Sequence, residues 1–243
     1  MRYFLELKYK GTHFAGFQIQ KNAKTVQQNI EDALLVVFKT PIALTGSSRT
    51  DSGVHALQNF FHFDTDLDIT PKHLYSLNAI ISTDIYIINI KKVADDMHCR
   101  FTATHRKYHY FISTHRNPFT IETAWHYPFT IDINKLNEAA ALLKSYSDFT
   151  TFSKKNTQTF TNICTITESY WVLENGTLRF TVKANRFLRG MVRALVATML
   201  HVGKGKMSVD DFRKIIEAED CSKADFSAPA HGLFLVEVGM PGY

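Results

Sequence analysis

One short stretch carries the groups best suited to chemistry: Ser47-Ser48-Arg49-Thr50-Asp51-Ser52-Gly53-Val54-His55-Ala56. It sets one carboxylate, Asp51, two residues after a guanidinium, Arg49, and two before a glycine that lets the backbone turn tightly. A carboxylate in such a loop can serve as a nucleophile or as a general base. The same residue types also suit a solvated turn with a surface arginine. A scaffold that holds the loop rigidly separates the two readings, because catalytic groups tend to sit on positioned loops.

Other groups of chemical interest lie further along. Arg189 and Arg193 are four residues apart in an otherwise apolar stretch, so a helix there would put them on one face. Buried guanidinium groups need anionic partners, although Arg189 also suits plain surface exposure. Arg106, Tyr108, Tyr110 and Ile112 alternate onto one face of a strand, and the ordinary reading of both tyrosines is a half-buried sheet position. His55, His62 and His98 lack metal-ligand spacing and are read as structural. Asp64, Asp66 and Asp68 look like a solvated strand end. No phosphate-binding P-loop or dinucleotide fingerprint is present.

The elements that must position these groups are legible from periodicity. Tyr3, Leu5 and Leu7 alternate as a first strand, followed by a two-glycine loop, Tyr9 to Gln18. Thr25 and Gln28 have capping-box spacing, and Val26, Ile30, Ala33, Leu34, Val37 and Phe38 form one apolar helical stripe. Ile42 to Thr45 reads as a strand entering the Asp51 loop, and Leu57 to Phe63 as the strand leaving it. Thr70-Pro71 starts a second helix with Leu74, Leu77 and Ile81 on one face, and Ile85–Val93 reads as a buried strand. Residues near 95 to 104 form a junction. Beyond it come the Arg106–Ile112 strand and a helix from Asp132 to about Tyr146 that buries Leu136, Ala139, Ala140 and Leu143. A polar stretch, 153 to 161, precedes two strands hinged at Asn175-Gly176, the strongest short hairpin signal. A long apolar helix then carries Arg189 and Arg193; a helix from Ser208 to about Glu219 and a strand from Leu233 to Val238 close the chain.

The 243 residues suffice for one large domain or two small ones. With 45% hydrophobic and 21% charged residues, the composition is that of a soluble globular protein. The net charge of +5 and pI near 9.0 lean towards an anionic partner such as nucleic acid. Cys99, Cys164 and Cys221 are widely spaced and fit a reducing cytosol without a disulfide framework or zinc ribbon. The N-terminus alternates like a strand rather than a signal peptide, and no apolar run is long enough to span a membrane.

Five stretches share a resemblance. Arg49-Thr50-Asp51-Ser52-Gly53-Val54-His55 resembles the catalytic loop of the tRNA pseudouridine synthase A family, usually Gly-Arg-Thr-Asp-Ala-Gly-Val-His, with Ser48 and Ser52 as departures. Tyr9 to Gln18 is similar to Tyr-x-Gly-x-x-x-x-Gly-Trp-Gln, with Phe17 in place of tryptophan. His98-Cys99-Arg100-Phe101 is similar to His-Ala-Arg-Phe, Asn185 to Arg193 to Asn-x-Phe-x-x-x-Met-Val-Arg, and Ala228 to Leu233 to Ala-Pro-x-x-Gly-Leu.

The resemblance implies an α+β pseudouridine synthase fold: two ferredoxin-like subdomains, 1–103 with the catalytic loop 46–56 and 104–243, sharing a largely antiparallel sheet with a central cleft. It implies isomerisation of uridine to pseudouridine in tRNA, at positions 38, 39 and 40 of the anticodon arm, by a cytoplasmic homodimer that uses no cofactor and no metal. Asp51 is the implied nucleophile or base and Arg193 its ion-pair partner. Tyr108 would stack on the flipped base, Leu233 would pack near it, and Arg49 and Arg189 would contact the RNA. Two other functions suit the same residues. A non-catalytic RNA-binding module would use Tyr108 and Tyr110 as exposed stacking platforms, and a nucleoside hydrolase would need a second acid, for which Asp64, Asp66 and Asp68 are the nearest candidates.

Overall fold

The computed structural model describes residues 1–155 and 160–242. Of the polar stretch 153 to 161, residues 156–159 lie outside the described residues. In chain order the elements are β1 (Arg2–Tyr9), α1 (Val26–Phe38), β2 (Thr45–Gly46), β3 (His55–Asp64), α2 (Pro71–Ile80), β4 (Ile85–Val93), β5 (His105–Ser113), β6 (Trp125–His126), α3 (Ile133–Leu142), β7 (Ile166–Glu174), β8 (Thr177–Ala184), α4 (Met191–Gly203), α5 (Val209–Glu217) and β9 (Leu233–Gly239), with short 3-10 turns between. The protein is mixed α+β, and its strands pair mostly antiparallel. The chain forms two compact units, residues 1–104 with 234–243, and residues 105–233.

In the first unit the strand order is β4-β1-β3-β9, with β2 also on β3. β1 pairs antiparallel with β3 and β4, while β9 runs parallel to β3 through His55–Phe234 and Ala56–Leu235. β3 is the middle of this unit: seven of its ten residues, all but Leu57, Gln58 and Asp64, are buried, among them the consecutive Phe60, Phe61, His62 and Phe63. Adjacent buried residues mean that both faces are covered. β4 is an edge strand, and of its side chains only Ile85 and Ile87 are buried. The buried strand expected there is therefore half solvated, with Tyr86 and Ile88 exposed.

α1 starts where expected, with the Thr25 hydroxyl accepting from the Gln28 amide. The capping box is not closed, because the Gln28 side chain donates instead to Asp32 one turn on. Ile42 to Leu44 is not a strand. The Leu44 N–H donates to Glu31 Oε1, and its carbonyl accepts from Gln27 Nε2, so α1 side chains take the bonds a strand neighbour would have taken.

In the second unit the order is β5-β8-β7, antiparallel throughout, with β6 parallel to β5. Asn175 and Gly176 both have positive φ (51° and 74°), the type I′ geometry that matches strand twist, and they close the β7–β8 hairpin. α4 buries every residue except Arg193 and His201. It begins only at Met191, after Gly190 at φ 76°. Arg189 thus precedes the helix, and the helical face expected to join it to Arg193 does not form. The left-handed Gly190 breaks the period between them.

Candidate active site

The loop between β2 and β3 is clamped by the two-glycine loop that follows β1. Gly11 approaches so closely that a Cβ would lie 2.0 Å from the Val54 carbonyl oxygen, and its N–H donates to His55 Nδ1 at 3.0 Å. Gly16, at φ 111°, lies against the Thr50 carbonyl, which accepts from the Phe17 N–H at 3.1 Å. Only glycine combines that φ with that approach. Phe14 caps the turn: its carbonyl accepts from the Gly53 N–H at 3.3 Å and from the Ser52 hydroxyl at 3.2 Å. Phe17 is buried and stacks on Phe61, with ring centroids 4.3 Å apart and planes 9° from parallel.

A buried polar network fixes the loop from beneath. Asn59 Nδ2 donates to the Ser48 carbonyl (2.9 Å) and to the Tyr9 hydroxyl (3.2 Å), and that hydroxyl shares a hydrogen bond with Thr50 Oγ1 (2.8 Å). Tyr9, Ser48, Thr50 and Asn59 are all buried. The Asp51 carbonyl accepts from the Val54 N–H at 3.2 Å, closing the turn. Among the described residues of its own unit, the half-buried Asp51 carboxylate accepts no hydrogen bond and forms no ion pair. Arg49 is exposed on the same loop. Ser48 and Ser52 do not have positive φ, so neither departure from glycine or alanine strains the backbone, and the Ser52 hydroxyl adds a bond that alanine lacks.

The second unit holds the other residues singled out. Tyr108, on β5 opposite Val182, is half-buried with its ring edge-on to Phe187 at 5.1 Å. Tyr110 is fully buried, and its hydroxyl donates to the Pro229 carbonyl at 2.8 Å. Burial pushes its phenol far above the ordinary range, so it stays protonated. It cannot be an exposed stacking platform. Arg193, in the first turn of α4, donates through Nε to the Ala228 carbonyl at 2.6 Å. Gly232 is required beneath the Tyr110 ring, where a Cβ would sit 2.8 Å from Cζ. Ala228-Pro229-x-x-Gly232-Leu233 is thus a strap whose carbonyls receive Arg193 and Tyr110, and it ends in the buried Leu233. Arg189 is exposed, and its carbonyl accepts from the Lys154 N–H at 3.2 Å.

Asp64, the first of the acids considered for hydrolysis, is not near Asp51. Asp64 ends β3 and is held by Arg2 through two 2.8 Å bonds, which lower its carboxyl below the usual range. The ten residues of β3 at about 3.3 Å each set it roughly 30 Å from the loop, against the 5–9.5 Å that paired glycosidase carboxylates need.

A sequence model described as tRNA pseudouridine synthase matches residues 7–102 and 139–241 of this chain. The chain belongs to the tRNA pseudouridine synthase family. Relatives within the family include a protein named tRNA pseudouridine synthase A from Parabacteroides distasonis, 44% identical over 242 residues, 99% of this chain and 96% of that protein. A protein of the same name from Porphyromonas gingivalis is 44% identical over 99% of this chain and 97% of its own length, and one from Staphylococcus aureus (strain Newman) is 39% identical over 98% and 90%. The synthase match covers both the Asp51 loop and the Arg193 helix. Tyr9, Thr50 and Asn59 are the supporting residues that sequence reading did not single out. Tyr9 and Thr50 fall inside motifs, but Asn59 reads only as one more residue of an alternating strand.

Proposed function

We propose that this chain isomerises uridine to pseudouridine in tRNA, with Asp51 as nucleophile or general base. The supporting observation is the loop itself: its backbone and neighbours are bound from three sides, yet among the described residues of its unit the Asp51 carboxylate is left unengaged. Holding a reactive group in place before substrate arrives lowers the barrier it must later cross. The names of the relatives support tRNA as substrate.

The reaction breaks the N1–C1′ bond, turns the uracil, and joins C5 to C1′. The C5 proton leaves and N1 gains one, so the product is an isomer. A single carboxylate suffices, whereas hydrolysis would need a pair. In this reading Tyr108 stacks on the flipped base, Leu233 packs beside it, and Arg193 pairs with Asp51. Arg193 is suited to this because Nε alone is used by the Ala228 carbonyl. Arg49 and Arg189, both exposed, take phosphates.

We further propose two ferredoxin-like subdomains sharing one sheet about a cleft, a homodimer, a cytoplasmic location and action at positions 38, 39 and 40 of the anticodon arm. The β4-β1-β3 order with β2 on β3 supports the first subdomain, since it is the βαββαβ pattern. No helix among the described residues is long and apolar enough to cross a membrane.

Tritium release from tRNA labelled at C5 of uridine tests the proposal. Release by the wild type and none by Asp51→Asn is expected. Binding without release from any tRNA would replace the enzyme with an RNA-binding module.

A further inference from the structure

Three soft or borderline donors far apart in sequence converge in the first unit. His62 lies on β3, and His98 and Cys99 lie on the turn after β4. One donor atom from each lies within 4.8 Å of the other two. Cys99 Sγ is 3.2 Å from His62 Nδ1 and donates to the Thr45 carbonyl at 3.1 Å, and the two imidazole rings meet edge to face at 4.4 Å. His62 and Cys99 are buried while His98 is half-buried, so one side is open.

A tetrahedral zinc ion, with Zn–S of about 2.3 Å and Zn–N of about 2.0–2.1 Å, holds its ligand atoms roughly 3.4–3.6 Å apart. The spacing here reaches that with small side-chain rotations. We propose that His62, His98 and Cys99 form a binding site for one zinc ion, with the fourth position open to water. Two imidazoles and a thiolate select zinc over magnesium or calcium, which prefer oxygen.

Binding releases the Cys99 proton to solvent and changes no oxidation state, so the local charge rises by one rather than two. The nearby Arg2 guanidinium is already matched by Asp64. The cost is local: the Cys99–Thr45 bond is given up, and ligation by His98 competes with the Arg100 N–H, which donates to His98 Nδ1 at a long 3.2 Å. The ion would pin the turn at 97–102 to β3. None of its ligands belongs to the proposed catalytic set, so the site stands apart from that reading.

Cobalt(II) titration of the metal-free full-length protein tests this, with cobalt as the probe for zinc. One cobalt per chain is expected, with a thiolate-to-cobalt charge-transfer band that zinc abolishes. Cys99→Ala should lose the band, and His98→Gln should weaken binding at least about tenfold, since even groups that only support a metal ligand are worth 10–100-fold. Alanine occupies the Cys99 position in the usual family pattern, so Cys99→Ala should fold, which its circular dichroism checks. Zinc should raise the unfolding temperature of the wild type and not of Cys99→Ala. Absence of the band in the wild type, or an unchanged band in Cys99→Ala, would overturn the site.

Discussion

Removing one oxygen atom beneath the Asp51 loop should be felt in both stability and turnover. In Tyr9→Phe the ring stays between its neighbours, but Thr50 Oγ1 loses its 2.8 Å partner and Asn59 Nδ2 loses its 3.2 Å acceptor. Each lost bond costs about 1 kcal/mol net, and a buried group left short of a partner costs about 1–3 kcal/mol. Asn59 keeps the Ser48 carbonyl, which limits its share. The sum is roughly 2–3 kcal/mol. For a chain of this size that is about 4–12 °C in unfolding temperature. The loop would be freed at Thr50, next to Asp51, so kcat should fall by about tenfold while KM for tRNA changes little. Thermal unfolding and tritium release measure the two effects. A cycle with Thr50→Val should give a coupling of roughly 0.5–3 kcal/mol, the range for residues in contact. If Tyr9→Phe melts within a degree of the wild type and turns over at the same rate, the loop is held some other way.

Further expectations address the same two units. Asp51→Ala should end turnover and leave tRNA binding in a filter assay nearly unchanged; normal turnover would remove Asp51 from the chemistry. Tyr108→Phe should keep most activity and Tyr108→Ala should lose it, and equal rates for all three proteins would refute base stacking. Gly11→Ala drives a methyl group into the Val54 carbonyl and should cost more than about 3 kcal/mol, read as lost soluble yield or a large drop in melting temperature. His109 is held down to about 4 by burial, and by Arg179 and Lys107 beside it. The unfolded chain therefore binds the proton first, so stability is full above about pH 6.5 and declines as pH falls towards 4. His109→Gln should flatten that decline in acid unfolding curves, and an identical pH profile would show that His109 does not contribute.

What the sequence determined by itself is local. Asn175-Gly176 closes its hairpin, Thr70-Pro71 opens α2 and Ser208 caps α5, because each depends on backbone preferences within a few residues. The Arg49–His55 loop is legible as a motif, and β3 as an alternating run. Local pattern failed where a distant group competes for the same backbone. Leu44 reads as strand but gives its N–H and carbonyl to α1 side chains, and β4 reads as buried but lies at a sheet edge. Arg189 and Arg193 have helical spacing, yet one residue at positive φ places the first outside the helix. Tertiary structure alone decided that Asn59 reaches under the loop to Ser48 and Tyr9, and that His62 meets Cys99 across 37 residues. Such contacts depend on which strands lie side by side and in what register, and register is set by the packing of whole faces rather than by any one stretch of chain.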